Sequence, residues 1–89
     1  MPTISIFYGI QILMYFYDNK KHHTPHIHAE YQGSKAVFDL SGNVTHGTLR
    51  SRTAMRLVRE WIDLHESELR ADWKLAQTGR ELKGIAPLD

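Results

Sequence analysis

The first apolar positions of the chain fall in two short segments, residues 4–8 and 10–17, separated by Gly9. Both segments are rich in isoleucine, phenylalanine and tyrosine, which favour β-strands, and a glycine between them allows the chain to bend. Apolar side chains occupy both alternating rows of the second segment, as they do in a strand that is covered on both faces. The pattern therefore predicts two strands, the second of them inside a sheet.

Residues 26–31 alternate between polar and apolar side chains. Successive side chains of a strand point to opposite faces, so His26, His28 and Glu30 would share one face. The apolar row on the other face consists of Ile27, Ala29 and Tyr31. The segment thus predicts a strand with chemically active groups on one face and core residues on the other.

A favourable two-residue hairpin loop, Gly33-Ser34, follows this strand, and a second apolar strand comes after it. The loop fixes the register, which pairs Glu30 with Val37 and His28 with Asp39. Directly opposite residues approach closely enough for a carboxylate to orient an imidazole ring. On the apolar face, the partners of the first strand would be Ala36, Phe38 and Leu40.

The register of the next strand depends on the position of the following turn. If Gly42-Asn43 forms the turn, Asp39 pairs with His46, and the carboxylate has a histidine on each neighbouring strand. Ser41-Gly42 could form the loop instead, and a slip of the register by one residue would put His46 on the other face. The sequence leaves both registers open.

Beyond Ser51, a favourable N-cap, the apolar residues recur at helical spacing. The positions that share this spacing are Ala54, Val58, Trp61, Ile62, His65, Leu69, Trp73 and Ala76. Gly79 is a natural helix end, and both tryptophans are predicted to be structural. The apolar tail, residues 85–88, is expected to dock on the body of the protein.

An unbroken helix over this stretch would contain about 28 residues and extend about 42 Å, which is long for so small a protein. We therefore expect a kink or a split near residues 65–67. Alternatively, the second half of the helix packs on a partner, which would allow a homodimer through the helix. Trp73 is the candidate interface residue in that alternative.

These elements predict an α+β fold: an antiparallel, twisted sheet of four to five strands, with one long or split C-terminal helix packed on one face. The helix would cover the apolar face of the two strands that contain residues 26–31 and 35–40. A chain of 89 residues can form one hydrophobic core. We expect residues 1–89 to form a single domain.

The composition is that of an ordinary folded protein, with 42% hydrophobic and 24% charged residues. The formal net charge is only +1, so nucleic-acid binding would require a local basic patch. The chain has no cysteine, which excludes disulfides and thiolate metal ligands. No signal peptide and no membrane-spanning segment are visible, and we expect a soluble, cytoplasmic protein.

The polar row on the histidine strand supports two alternative interpretations. In the first, His26 and His28 transfer protons, Asp39 orients His28, and no cofactor is needed. In the second, which is non-catalytic, His26, His28 and Glu30 hold a divalent metal ion or lie in a protein interface. The residues that could accompany either set are His22, His23 and His46.

Four arginines, at positions 50, 52, 56 and 59, precede and open the predicted helix. Glu60 follows Arg56 by four residues and Asp63 follows Arg59 by four, so ion pairs within the helix would account for two of the four. Arg50 and Arg52 have no such partner. They are the predicted phosphate-binding residues.

Several motifs together resemble a bacterial family of unknown function, the domain-of-unknown-function family numbered 4160. The matching segments are Met1-Pro2-Thr3-Ile4-Ser5, Phe7-Tyr8-Gly9-Ile10, Met14-Tyr15, residues 25–31 from Pro25 to Tyr31, Leu57-Val58-Arg59-Glu60-Trp61, and Trp73. The chain departs from the family pattern in the loop before the histidines and before the helix. There it has Thr24 and Arg50 where prolines are usual, and a longer basic loop with Lys20, Lys21 and His22.

The resemblance implies a small stand-alone protein that is commonly encoded beside a second small protein, of the family numbered 2442. Such pairs are suspected to be toxin–antitoxin-like modules, so a cognate partner protein is expected. The leading functional hypothesis is a component of such a module that acts on RNA through the face of His26, His28 and Asp39. A non-catalytic metal-binding or protein-interaction module is the alternative.

Overall fold

The computed structural model describes residues 3–16 and 24–89. Its elements are β1 (Thr3–Phe7), β2 (Ile10–Leu13), β3 (His26–Tyr31), β4 (Ser34–Asp39), β5 (Val44–Gly47), α1 (Arg52–Leu64) and α2 (Glu66–Gln77). The strands form one antiparallel sheet, in which each strand lies beside the next one along the chain. The predicted α+β fold, with four to five strands and a C-terminal helical region, is confirmed.

Two of the hairpin turns have the same composition, a large residue followed by glycine. Tyr8-Gly9 joins β1 to β2, and Gln32-Gly33 joins β3 to β4. All four residues have positive φ, at 50° and 76° in the first turn and 47° and 81° in the second. Positive φ at both central positions defines a type I′ turn, whose twist matches that of the paired strands. The glycine takes one of the two left-handed positions without a steric penalty.

The predicted register of the β3–β4 hairpin is wrong by two residues. Because the turn lies one residue earlier than predicted, His28 lies opposite Val37, and Asp39 lies opposite His26. The sequence predicts Gly33 at the first turn position, but Gln32 takes it, with a positive φ that residues other than glycine rarely adopt. A shift of two residues keeps every side chain on its predicted face. The two faces of β3 and β4 are therefore correct, although the individual pairs are not.

Asp39 organises the loop between β4 and β5. Its Oδ1 accepts hydrogen bonds from the backbone N–H groups of Ser41 and Asn43, both at 2.9 Å. Beyond the loop, His46 pairs with Val37, so the pairing of His46 with Asp39, one of the two possibilities that the sequence left open, is not formed. The register shifts next to this pair, because β5 carries a β-bulge there.

Gly47 ends β5 at a point where its backbone passes close to β4. Its φ is 71°, and a Cβ at this position would collide with the backbone oxygen of Lys35 and approach the Cα of Ala36 to 3.3 Å. Both the backbone conformation and the lack of space require a glycine. The end of β5 is thereby held against β4 beside the bulge.

The helical region is divided near the predicted position. α1 ends at Leu64, and α2 begins two residues later, with His65 at φ −121° and ψ 23° between them. Ser51 caps α1 by accepting a hydrogen bond from the N–H of Ala54 at 3.1 Å, as predicted. No helix in the described part of the chain is long and apolar enough to cross a membrane.

Gly79 ends α2, as predicted. Its φ is 70°, and its N–H donates to the carbonyl of Ala76 at 3.4 Å. The N–H of Arg80 donates to the carbonyl of Leu75 at 3.0 Å. These two hydrogen bonds form a Schellman motif, which satisfies carbonyl groups that the helix end would otherwise leave unpaired.

Both helices contribute to one core on the apolar face of the sheet. The buried residues of this core include Ile27, Ala29, Ala36, Phe38, Val58, Trp61, Ile62, Leu69, Trp73 and Ala76. Trp61 packs against Phe7, with ring centroids 5.4 Å apart. The helix-covered face and the structural position of both tryptophans are confirmed.

The C-terminal segment docks on the body of the protein, as predicted. The N–H of Ile85 donates to the carbonyl of Ile4 at 2.8 Å. The indole N–H of Trp61 donates to the carbonyl of Ala86, also at 2.8 Å. The segment is therefore joined both to the edge strand β1 and to α1.

Asp72 is buried where α2 meets the C-terminal segment. Its Oδ1 accepts a hydrogen bond from the backbone N–H of Lys83 at 3.0 Å, and its Oδ2 has no hydrogen-bond partner among the described residues. Burial raises the pKa of the Asp72 carboxyl above its ordinary value, because a charged carboxylate loses its hydration there. The hydrogen bond and the charge of Lys83 act in the opposite direction, whereas the nearby Glu68 adds to the rise.

Candidate nucleic-acid interface

A row of side chains crosses three strands on the second face of the sheet. His28 of β3 pairs with Val37 of β4, which in turn pairs with His46 of β5. Directly paired residues point to the same face, and a groove of about 300 Å³ opens along this row. The described residues that line it are Tyr15, His28, Ala29, Glu30, Lys35, Ala36, Val37, His46 and Gly47. We call this depression the imidazole groove.

His28 contacts two aromatic rings. The ring of Tyr15 meets it edge-on, with centroids 4.5 Å apart and an interplanar angle of 74°. The ring of His26 lies on the same face, with centroids 5.2 Å apart and an angle of 65°. These contacts restrict the orientation of the half-buried His28 ring. A fixed orientation is what proton transfer to a bound ligand requires.

His26 lies behind the groove and is only 3% exposed. Its Nδ1 lies 2.8 Å from the carbonyl oxygen of Thr24. Because a carbonyl oxygen can only accept, Nδ1 is the donor, and in the neutral ring the lone pair is on Nε2. The indole of Trp73 packs on the same ring at 5.0 Å. His26 is not among the described residues that line the groove, and its geometry suits the support of His28.

The predicted pair of His28 and Asp39 is not formed. Besides the two backbone N–H groups that bind its Oδ1, the Asp39 carboxylate has the side-chain nitrogen of Asn43 3.4 Å from Oδ2. The carboxylate is thus used to hold the β4–β5 loop. Asp39 is not among the described residues that line the imidazole groove, and it lies opposite His26, not opposite the His28 that it was predicted to orient.

In its metal-binding form, the alternative, non-catalytic interpretation requires His26, His28 and Glu30 to lie around one metal ion. Within residues 3–16 and 24–89, there is no group of three or more His, Cys, Asp or Glu side chains that could hold one metal ion. His26, His28 and Glu30 therefore do not form such a group. His22 and His23 lie outside the described residues.

Arginines surround a second depression, of about 330 Å³, at the N-terminal end of α1. Its described lining consists of Thr48, Arg50, Ser51, Arg52, Met55 and Arg59. We call Arg50, Arg52 and Arg59 the arginine cluster. Since the first turn of α1 contains no acidic residue, the helix dipole adds to the positive potential here. The predicted phosphate-binding residues Arg50 and Arg52 therefore lie together.

Ion pairing affects the arginines of α1 differently. Arg56 pairs with Glu60 at 2.9 Å, as predicted. The predicted pair of Arg59 with Asp63 is not among the ion pairs that the described residues form.

Arg50 has a positive φ of 59°, and its N–H donates to Thr48 Oγ1 at 3.1 Å. A left-handed arginine is strained, and this conformation sets the direction of the chain as it enters the cluster.

A third depression, of about 490 Å³, connects the other two. It shares Lys35 and Gly47 with the imidazole groove, and it shares Thr48 and Arg50 with the depression of the arginine cluster. We call the cations along this surface, namely Lys35 and the arginine cluster, the basic track.

Sequence reasoning missed Lys35, because the predicted register placed it beside the turn. The type I′ turn at Gln32-Gly33 instead places it opposite Glu30, closer to His28 along the same face.

The fold and this surface define a class of small α+β protein, in which helices cover one face of a meandering sheet and the other face carries histidines. Within that class, the chain belongs to the family described as Domain of unknown function (DUF4160), whose model matches residues 9–74. The match covers most of the chain, including β3 and the arginine cluster, and confirms the resemblance seen in the sequence. No curated protein and no solved structure matches the chain.

Proposed function

We propose that this protein binds and acts on RNA, as one component of a two-protein toxin–antitoxin-like module. The observation that carries the proposal is the continuity of the surface: the basic track leads directly into the imidazole groove through the shared residues Lys35 and Gly47. A single strand whose phosphates follow the track would present a phosphodiester group to His28.

The distribution of charge supports an anionic ligand. The net charge of the chain is only +1, yet Lys35 and the three residues of the arginine cluster lie along one connected surface. Arginine stays protonated at every physiological pH and binds phosphate in a planar, bidentate geometry. Phosphate contacts of this kind supply most of the affinity of proteins for nucleic acids.

The groove itself supplies groups that suit a nucleotide. Tyr15 offers an aromatic ring, and stacking on such rings is how proteins hold unpaired bases. His28 offers an imidazole for proton transfer at the phosphodiester, which needs no metal ion or other cofactor. A base-stacking residue next to a proton-transfer residue favours a single-stranded substrate over a duplex.

The second component of the module is the cognate small protein that the family resemblance implies. In this proposal, the small protein that is encoded beside this one binds to it and thereby restrains its activity on RNA. Expression of the protein alone should then arrest growth, and co-expression of the neighbouring protein should relieve the arrest. The variant His28→Ala, with unchanged folding, should not arrest growth. No arrest by the wild type, or full arrest by this variant, would contradict the proposed activity.

RNA binding is tested by the salt dependence of the dissociation constant for a fluorescent single-stranded RNA. Each lost phosphate contact lowers the slope of log Kd against log salt by about 0.7, so Arg50→Gln/Arg52→Gln should lower it by about 1.4. The matched control is Arg56→Gln/Arg70→Gln, which removes the same charge from two arginines that form ion pairs. If both double variants lowered the slope equally, the net charge of the chain would account for the salt dependence without the basic track. That result would contradict the proposal.

A further inference from the structure

The true register places two histidines on either side of one valine. His28 and His46 both line the imidazole groove, and each is paired with Val37, which lies between them. Neighbouring strands are about 4.8 Å apart, so the α-carbons of the two histidines are separated by about 10 Å. Two imidazole rings that rise from such positions can approach one phosphodiester group from opposite sides.

We propose that His28 and His46 are the general base and the general acid of a metal-independent RNA transesterification. This assignment rests on the proposed function and replaces the pair His26 and His28, because His26 is buried against Trp73 behind the groove. His46, in contrast, is exposed on the edge strand. The substrate class is single-stranded RNA, since the nucleophile is the 2′-hydroxyl group of the substrate itself.

The reaction balances without an external reagent. His28, in its neutral form, removes the proton from the 2′-hydroxyl group as the O2′–P bond forms. The P–O5′ bond breaks, and His46, in its protonated form, gives its proton to the departing O5′. The products are a 2′,3′-cyclic phosphate and a 5′-hydroxyl end. Imidazole suits both steps, because it exchanges protons near neutral pH.

The surroundings of the two rings decide which of them is the base. In-line attack requires a base that is held in place, and His28 is held between Tyr15 and His26. The acid acts on the product that leaves, and the exposed β5 edge gives that product a path to solvent. The other titratable groups of the groove are Tyr15, Glu30 and Lys35, which face the same space from the segment after β2, from β3 and from β4.

The experiment measures cleavage and binding separately. His46→Ala should lower the rate of cleavage of an RNA oligonucleotide by about 10²–10⁴-fold and leave its dissociation constant unchanged. On a uridine 3′-aryl phosphate, whose leaving group needs no proton, His46→Ala should approach the wild-type rate, whereas His28→Ala should remain inactive. An oligonucleotide with one 2′-deoxynucleotide should not be cut at that position. His65→Ala, outside the groove, is the matched histidine control and should cleave at the wild-type rate.

The possible outcomes separate this assignment from the proposed function. Wild-type cleavage of the oligonucleotide by His46→Ala, with His28→Ala inactive, would overturn the role of His46 and leave RNA action intact. Loss of activity by His46→Ala on both substrates would overturn its role as the acid. Salt-dependent RNA binding without any cleavage by the wild type would overturn the reaction and leave the binding surface intact. Failure of the wild type to bind RNA would overturn the proposed function itself.

Discussion

The two faces of the central strands β3 and β4 differ in what their side chains do. Phe38 and Val37 are neighbours on β4, yet Phe38 is fully buried in the core beneath the helices, whereas Val37 is only partly buried and lines the imidazole groove. On β3, Ala29 is likewise fully buried in the core, whereas His28 is only partly buried. One face therefore joins the helices to the sheet, and the other presents polar groups.

The difference shows how one small sheet provides both stability and a candidate site. Apolar burial against the helices contributes most of the free energy of folding. The groove face is not needed for that core, so its residues can be polar without a large loss of stability. Substitutions on the two faces should accordingly separate effects on folding from effects on function.

The largest expected effect is that of Phe38→Ala. The variant leaves a cavity in the core, and it should lower the free energy of unfolding by about 3–5 kcal/mol. Val37→Ala, one residue away on the opposite face, should lower it by about 1 kcal/mol. Urea denaturation followed by tryptophan fluorescence measures both. Equal losses would show that the groove face is as tightly packed as the core, and would remove the distinction between the faces.

A smaller effect is expected from Gly47→Ala, at the end of the groove. The new methyl group would collide with the backbone of Lys35 while φ is positive, which should lower the free energy of unfolding by about 3 kcal/mol. Gly33→Ala is the matched control, because Gly33 also has positive φ but has no atom within 4 Å of the new Cβ. Its expected cost is about 1 kcal/mol. Equal costs would mean that β5 does not approach β4 closely at Gly47.

The smallest effect concerns Asp72, whose carboxyl side chain is buried where α2 meets the C-terminal segment. A raised pKa means that the folded protein binds the proton more tightly than the unfolded chain does. The associated stability is present below the ordinary value of 3.8 and is lost as the pH rises through the raised pKa. Asp72→Asn cannot ionise and retains an oxygen that can accept from Lys83. The free energy of unfolding of the wild type, minus that of this variant, should therefore fall with rising pH.

Urea denaturation at several values between about pH 4 and pH 7 measures this difference. Asp63→Asn is the control, since Asp63 is exposed on α1. For that variant, the difference from the wild type should not fall in the same way. A constant difference for Asp72→Asn would show that its carboxyl is not perturbed by burial.

The alternation of residues 26–31 predicted the core-facing row correctly, although it did not predict that His26 is buried against Trp73. Likewise, the apolar spacing beyond Ser51 predicted the helical region, and its excessive length predicted a kink or split near residues 65–67, which the structure has at His65. These predictions succeeded because they depend on periods of two and of 3.6 residues, which are local properties of the chain. The same spacing predicted that the helix starts next to Arg50 and Arg52, which lie together there.

Local periodicity could not determine which histidine lies opposite which neighbour. That depended on the positive φ of Gln32, which moved the turn by one residue, and on the bulge in β5. Both are choices among turn geometries that differ little in energy and that depend on the twist of the whole sheet. As a result, the sequence predicted the histidine face, while the pairing of His28 and His46 through Val37 required the structure.

The meander order of the sheet also has a consequence for biosynthesis. Since every strand pairs with its predecessor along the chain, each can join the sheet soon after it leaves the ribosome, and closing such short loops is rapid. The apolar face of these strands nevertheless stays uncovered until α1 and α2 have emerged. The nascent chain is thus most prone to aggregation between the synthesis of β5 and that of α2. The hydrogen bond between Ile85 and Ile4 can form only after both helices have emerged, so β1 waits for this contact longer than for its pairing with β2.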